Sequence, residues 1–310
     1  MTRLNSTAGY YQSGEESLGW ELTVSNALYP AESPCRKILR NPSSYGDLLY
    51  DYLSLLIPMG RIRSILEIGG GYGYVMKDFL TRHPTLSATL VDISPRFSEI
   101  QRQTLKEYRA DFVIADFMGL DPSYLAGKDL ALLNENLGDF PTLVDVPGAM
   151  FQRRPQDPLE RRLAELFTRY SLDIPRAERF NFNLGAVEAV EKLCTSGIPY
   201  VFAGEHSCEA AVPEPYRGLL SIVSSLQPEE ISLRGHKEYT IRFSYLEKVA
   251  ACHGYSTRRG PFADFLKIEW SDPLRRLMAS PALADGESEI IRHFVEDLYK
   301  YEYLILVKER

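Results

Sequence analysis

The chain has 310 residues, 45% hydrophobic and 25% charged, with a formal net charge of −7. That length and balance fit a globular chain of one large α/β domain or two small ones. The acidic excess speaks against nonspecific nucleic-acid binding, which needs a basic face. No run of about 18 apolar residues offers a membrane span. Met1–Ser6 lacks the apolar core of a signal peptide. Cys35, Cys194, Cys208 and Cys252 show no C-x-x-C spacing. The expectation is a cytoplasmic protein with reduced thiols and no metal site.

Residues 1–43 carry Tyr10, Tyr11, Trp20 and Tyr29, too many aromatics for a disordered tail. They read as an arm packed on a domain spanning 44–310. Ser44–Ile57 has a helical apolar face (Leu48, Leu49, Tyr52, Leu53, Leu56) that Pro58 and Gly60 end. Arg61–Ile68 is an apolar strand. Four glycines within five positions follow, Gly69, Gly70, Gly71 and Gly73. Glycine accepts positive φ and lets backbone approach a ligand. Val75, Met76, Phe79 and Leu80 then repeat at helical spacing, so the turn opens a helix and points N–H groups at a ligand. A dinucleotide G-x-G-x-x-G would need glycine where Tyr74 stands.

Ser87–Ile93 is a second strand, ending in Asp92, whose carboxylate suits the two hydroxyls of a ribose. Ser94-Pro95 starts the next helix, to Tyr108. Ala110–Phe117 is a third strand; at its tip Asp116 suits an exocyclic amine or, equally, a loop cap, and Phe117 offers an N–H and a ring face. Lys128–Asn136 is a fourth, ending in the polar run Asn134-Glu135-Asn136. The long connection 142–185, with a helix over Leu159–Leu172, reads as a cap over the substrate side. Within it Arg153-Arg154 and Arg161-Arg162 suit a solvated face. A helix over Leu184–Thr195 returns to a fifth strand, Ile198–His206, ending in Glu205 and His206. Residues 207–238 read as irregular. Tyr255–Arg259 and Tyr301–Lys308 read as the last strands, with a polar loop and a helix over Glu287–Tyr299 between them.

The alternation predicts an α/β fold, a doubly wound, mostly parallel seven-stranded sheet with cap insertions. The series Glu67-x-Gly69-x-Gly71-x-Gly73, Asp92, Asp116-Phe117 and Asn134-Glu135 resembles the class I S-adenosylmethionine (SAM) dependent methyltransferases over roughly residues 61 to 206. The resemblance implies a Rossmann-like methyltransferase fold with SAM as cofactor. Glu67, Gly69, Gly70, Gly71 and Gly73 would line its methionine and ribose. Asp92, with Ile93 beside it, would hold the ribose hydroxyls, Asp116 and Phe117 the adenine, and Asn134 would face the methyl donor. It further implies methyl transfer to an O or N acceptor on a small molecule or peptide, without nucleic acid, membrane or metal. Asn134–Pro141 and Gly235–Ser244 are more remotely similar to the MidA-type protein arginine methyltransferases, which serve respiratory complex I assembly.

Where the acceptor must lose a proton, the candidate bases are Glu135, Asp139, His206 and His236. His206, at a strand tip, comes first; for an arginine acceptor Glu135 is preferred, because a carboxylate orients guanidinium. Two other classes use such a sheet: a nucleotide-cofactor oxidoreductase, against which the displaced third glycine argues, and a noncatalytic member that binds a partner protein.

Overall fold

The computed structural model describes residues 2–13, 23–155, 157–280 and 286–309. Trp20 lies outside the described residues. Seven strands form the central sheet: β1 Ser64–Ile68, β2 Ser87–Asp92, β3 Ala110–Ile114, β4 Leu130–Asn134, β5 Tyr200–His206, β6 Tyr255–Pro261 and β7 Tyr301–Lys308. Their order is β6-β7-β5-β4-β1-β2-β3. β7 runs antiparallel to both neighbours, and β3, β2, β1, β4 and β5 are parallel. The expected mostly parallel seven-stranded sheet is therefore the sheet observed.

Side chains alternate across it. Ile65, Leu90, Leu132, Phe202 and Ile305 join the core under the helices Tyr45–Leu56, Tyr74–Arg82 and Gly286–Lys300. Leu66, Val91, Leu133, Ala203 and Leu306 join the opposite core, under Pro158–Arg169, Leu184–Thr195 and Phe243–Cys252. Each fully buried large aliphatic or aromatic side chain contributes about 1.5–3 kcal/mol, so the two layers hold the sheet between them.

The chain winds from β1 outward to β3, then returns to place β4 on the other side of β1. The crevice at this reversal lies outside the carboxyl ends of the strands. Gly69 N–H donates to the Val91 carbonyl at 2.8 Å, holding the β1 turn against the end of β2.

Outside the central sheet the structure departs from the sequence reading. The connection 142–185 contains two strands, Thr142–Pro147 and Arg179–Phe182, which form a three-stranded antiparallel sheet with Arg3–Asn5 of the arm. The stretch 207–238, expected to be irregular, holds most of a two-stranded antiparallel hairpin, Glu230–Ser232 paired with Lys237–Tyr239. The expected polar loop before the last helix contains the helix Asp272–Ala279. Arg153 and Arg162 are not merely solvated. Arg153 pairs with Glu160 at 2.6 Å, and Arg162 with Glu188 and Glu191 at 2.8 and 3.0 Å.

Candidate functional site

A cavity of about 460 Å³ opens over the carboxyl ends of β1, β2 and β4. One half is lined by Ile68, Gly69, Gly71, Asp92, Ile93, Phe97, Asp116 and Phe117. The β1 turn needs its glycines: Gly69, Gly71 and Gly73 have φ of +62°, +52° and +77°, a region costly for residues with a Cβ. A Cβ on Gly69 would stand 2.5 Å from Asn136 Nδ2, and one on Gly70 would stand 2.6 Å from Glu67 Oε2. Gly73 caps the helix Tyr74–Arg82.

Glu67 is 1% exposed, and its Oε2 has no hydrogen-bond partner. Burial, then the nearby Asp92 carboxylate, pushes its carboxyl up to about 8. A buried, unsatisfied carboxyl is costly, and here it lies under the turn that faces the cavity. Asp92 accepts from Ser94 N–H at 2.9 Å and from Gln101 Nε2 at 2.8 Å. The same Gln101 nitrogen donates to the Gly71 carbonyl at 3.0 Å. Asp116 is a loop cap, its Oδ1 accepting from Met118 N–H at 2.9 Å at the start of the turn Phe117–Gly119, and the residue also lines the cavity.

The other half of the cavity is acidic and aromatic. Thr7, Tyr10, Tyr11 and Thr23 of the arm face Asp139, Glu205, His236 and Glu238. Tyr11 OH donates to Asp139 Oδ2 at 3.1 Å, and His236 Nε2 lies 2.8 Å from Glu238 Oε1 and 3.8 Å from Asp139 Oδ1. Tyr10 stacks on the His236 ring at 4.3 Å. Asp139 Oδ1 is buried and makes no hydrogen bond. Burial, then Glu238 and Glu205, pushes the Asp139 carboxyl well up, although Tyr11 and Thr7 oppose this through hydrogen bonds. Glu205 accepts from Gly138 N–H at 3.2 Å and His206 N–H at 2.8 Å, and burial pushes it up to about 7.

Three residues favoured by sequence sit elsewhere or do other work. Asn134 is not among the described residues that line the cavity; its amide joins Tyr45 OH at 2.5 Å to Glu135 Oε2 at 3.1 Å. Asn136 takes the lining position and donates to the Ile68 carbonyl. Glu135, at φ +54°, reaches the cavity wall but is committed to the arm. It accepts from Val24 N–H at 2.5 Å, Ser25 N–H at 3.1 Å and Ser25 Oγ at 2.5 Å, at the start of the helix Val24–Ala27.

His206 does not line the cavity among the described residues. Its ring lies 3.8 Å from that of Tyr301, with Nε2 3.8 Å from Asp297 and Nδ1 3.9 Å from Glu205. Burial lowers its affinity for a proton, but Asp297, Glu205 and Glu135 outweigh this and raise it. An imidazole that lies outside the cavity lining, turned toward Asp297, is poorly placed to accept a proton there.

No described residue of 142–185 lines the cavity either; the arm and the loop 233–238 cover it. Sequence reasoning missed Gln101, Asn136 and Glu238. Asn136 was visible in the polar run after β4, but the backbone turn at Glu135 decides which of the two asparagines enters the cavity. Nothing local marks Gln101 inside its helix.

Among the described residues, no helix is long and apolar enough to cross a membrane. No protein-family model and no curated protein matches the chain. Solved structures do match. A protein from Burkholderia thailandensis bound to S-adenosyl-homocysteine is 14% identical, with 98% of this chain and 88% of that chain covered at a TM-score of 0.56. An uncharacterized protein from the same organism gives 14% identity, 97% and 91% coverage and a TM-score of 0.56. An O-methyltransferase family protein from Burkholderia thailandensis is 14% identical at a TM-score of 0.43, over 84% of this chain; the chain spans about half of that protein, 55% of its length. The likeness to the first two establishes a shared fold.

Proposed function

We propose that the protein is a SAM-dependent methyltransferase acting on an O or N acceptor of a small molecule or peptide. One observation carries this reading. Gly69, Gly71, Asp92, Ile93, Asp116 and Phe117, spread over three βα junctions, line a single cavity at the switch point of the sheet. The S-adenosyl-homocysteine held by a protein of the same fold supports it.

The residues present fit such a cofactor. Gly69 and Gly71, both at positive φ and without a Cβ, line the cavity and let a ligand approach their backbone closely. Asp92 and Asp116 both line it, and would take the ribose hydroxyls and the adenine amine. When bound, SAM supplies a methyl group on a sulfonium, activated for in-line displacement. The protein then has mainly to orient the acceptor and exclude water.

The acceptor half is formed by the arm and the loop 233–238. There Asp139 and His236, which line the cavity as His206 does not, replace it as the groups placed to take a proton from the acceptor. Asp139, Glu205 and Glu238 line the cavity with carboxyl oxygens that suit an acceptor rich in N–H donors, in keeping with the remote likeness of 134–141 to MidA-type arginine methyltransferases.

Calorimetry with SAM tests the reading. Binding should be seen with SAM and lost or weakened in Asp92→Ala. Tight binding of NADH with none of SAM would replace the reading with the oxidoreductase one.

A further inference from the structure

The turn that would meet the adenine is held from outside by one cation. Lys192 belongs to the helix Leu184–Thr195, more than seventy residues beyond this turn. Its Nζ donates to the carbonyls of Phe117 at 2.8 Å, Met118 at 3.0 Å and Leu120 at 2.7 Å. All three protons of the ammonium are thereby used. The same nitrogen lies 5.1 Å from the centre of the Phe117 ring, a cation–π distance. Within the three-residue turn Phe117–Gly119 the Phe117 carbonyl also accepts from Leu120 N–H at 3.2 Å, and Lys192 brings a donor to the carbonyls of Met118 and Leu120 as well. Asp116 pins its start through Met118 N–H, and Lys192 pins its end.

We propose that Lys192 is a positioning residue that sets the purine selectivity of the cofactor site. The proposal rests on the SAM reading above. Asp116 and Phe117 would read the edge of the purine, the carboxylate accepting from the amine at C6 and the backbone N–H donating to N1. Hypoxanthine reverses both groups on that edge, offering a carbonyl and an N–H. A turn pinned at both ends rejects the reversed pattern; a turn released at one end can rotate its N–H and carboxylate to accommodate it.

The experiment titrates the full-length protein with S-adenosyl-homocysteine and with S-inosyl-homocysteine by calorimetry. The wild type should prefer the adenosyl ligand by about 10–100-fold, the range for a good bidentate edge contact. In Lys192→Met both the preference and the adenosyl affinity should fall, with the preference below about 5-fold. Lys192→Arg, which keeps the charge and donors, should restore most of it. If Lys192→Met does not fold, Lys192→Gln carries the test, and an intermediate preference is expected. An unchanged preference in the folded variants, with wild-type binding of S-adenosyl-homocysteine intact, overturns the role of Lys192 alone. Failure of the wild type to bind S-adenosyl-homocysteine overturns the SAM reading and this proposal with it.

Discussion

Gln101 donates to Asp92 at 2.8 Å while its same nitrogen lies 3.0 Å from the Gly71 carbonyl. One buried amide thus ties the carboxylate at the end of β2 to the glycine turn after β1. Asp92 cannot be repositioned without moving the turn. Gln101→Leu removes both bonds and leaves a buried carboxylate one donor short. It should cost about 1.5–3 kcal/mol of stability, the range for hydrogen bonds to charged groups, and should weaken S-adenosyl-homocysteine binding. Urea unfolding beside calorimetry measures the two effects.

Asp92→Ala should weaken SAM binding by roughly 1–3 kcal/mol through loss of the ribose contact. A calorimetric titration of wild type and variant checks this. Unchanged affinity would remove Asp92 from the cofactor site.

The Glu67 carboxyl gives the apo protein a pH signature. Its ordinary value of 4.5 rises to about 8 in the fold. The folded state therefore holds a proton that the unfolded state releases, and stability falls as pH rises between these values. Glu205, raised from 4.5 to about 7, acts in the same direction. Chemical denaturation from pH 4.5 to 8 should show the decline, and Glu67→Gln, which cannot titrate, should flatten it.

Gly69→Ala should be poorly tolerated. Its φ of +62° costs a residue with a Cβ about 1–2 kcal/mol, and the new methyl would press on Asn136 at 2.5 Å from Nδ2. A lowered melting temperature together with lost S-adenosyl-homocysteine binding is expected; thermal unfolding and calorimetry read both.

Glu135 should prove to be an anchor of the arm. Glu135→Ala removes the acceptor for Val24 N–H and Ser25 N–H. Hydrogen exchange at these two amides should quicken, whereas those of β1 should keep their protection.

How much of this was visible in the sequence follows from the range of the forces involved. The strands of the sheet could be read because buried parallel strands are short apolar runs, and the glycine turn because positive φ selects glycine at Gly69, Gly71 and Gly73. Asp92 and Asp116 were legible as strand-end carboxylates. Asp139 and His236 of the acceptor half were legible as candidates, but not their meeting with Tyr11, because the three come from distant segments that join only through tertiary folding. His206 misled because a strand tip can point a side chain away from the crevice, here toward Asp297. Strand Thr142–Pro147 was hidden because its partners come from distant segments, Arg3–Asn5 near the start of the chain on one side and Arg179–Phe182 on the other.

The most direct measurement is a crystal structure with S-adenosyl-homocysteine. The account predicts the nucleoside in the cavity over β1, β2 and β4, its ribose at Asp92, its purine between Asp116 and Phe117, and its sulfur directed toward Asp139 and His236. Density for the nucleoside elsewhere on the protein, or a saturated crystal in which this cavity holds none, would contradict it.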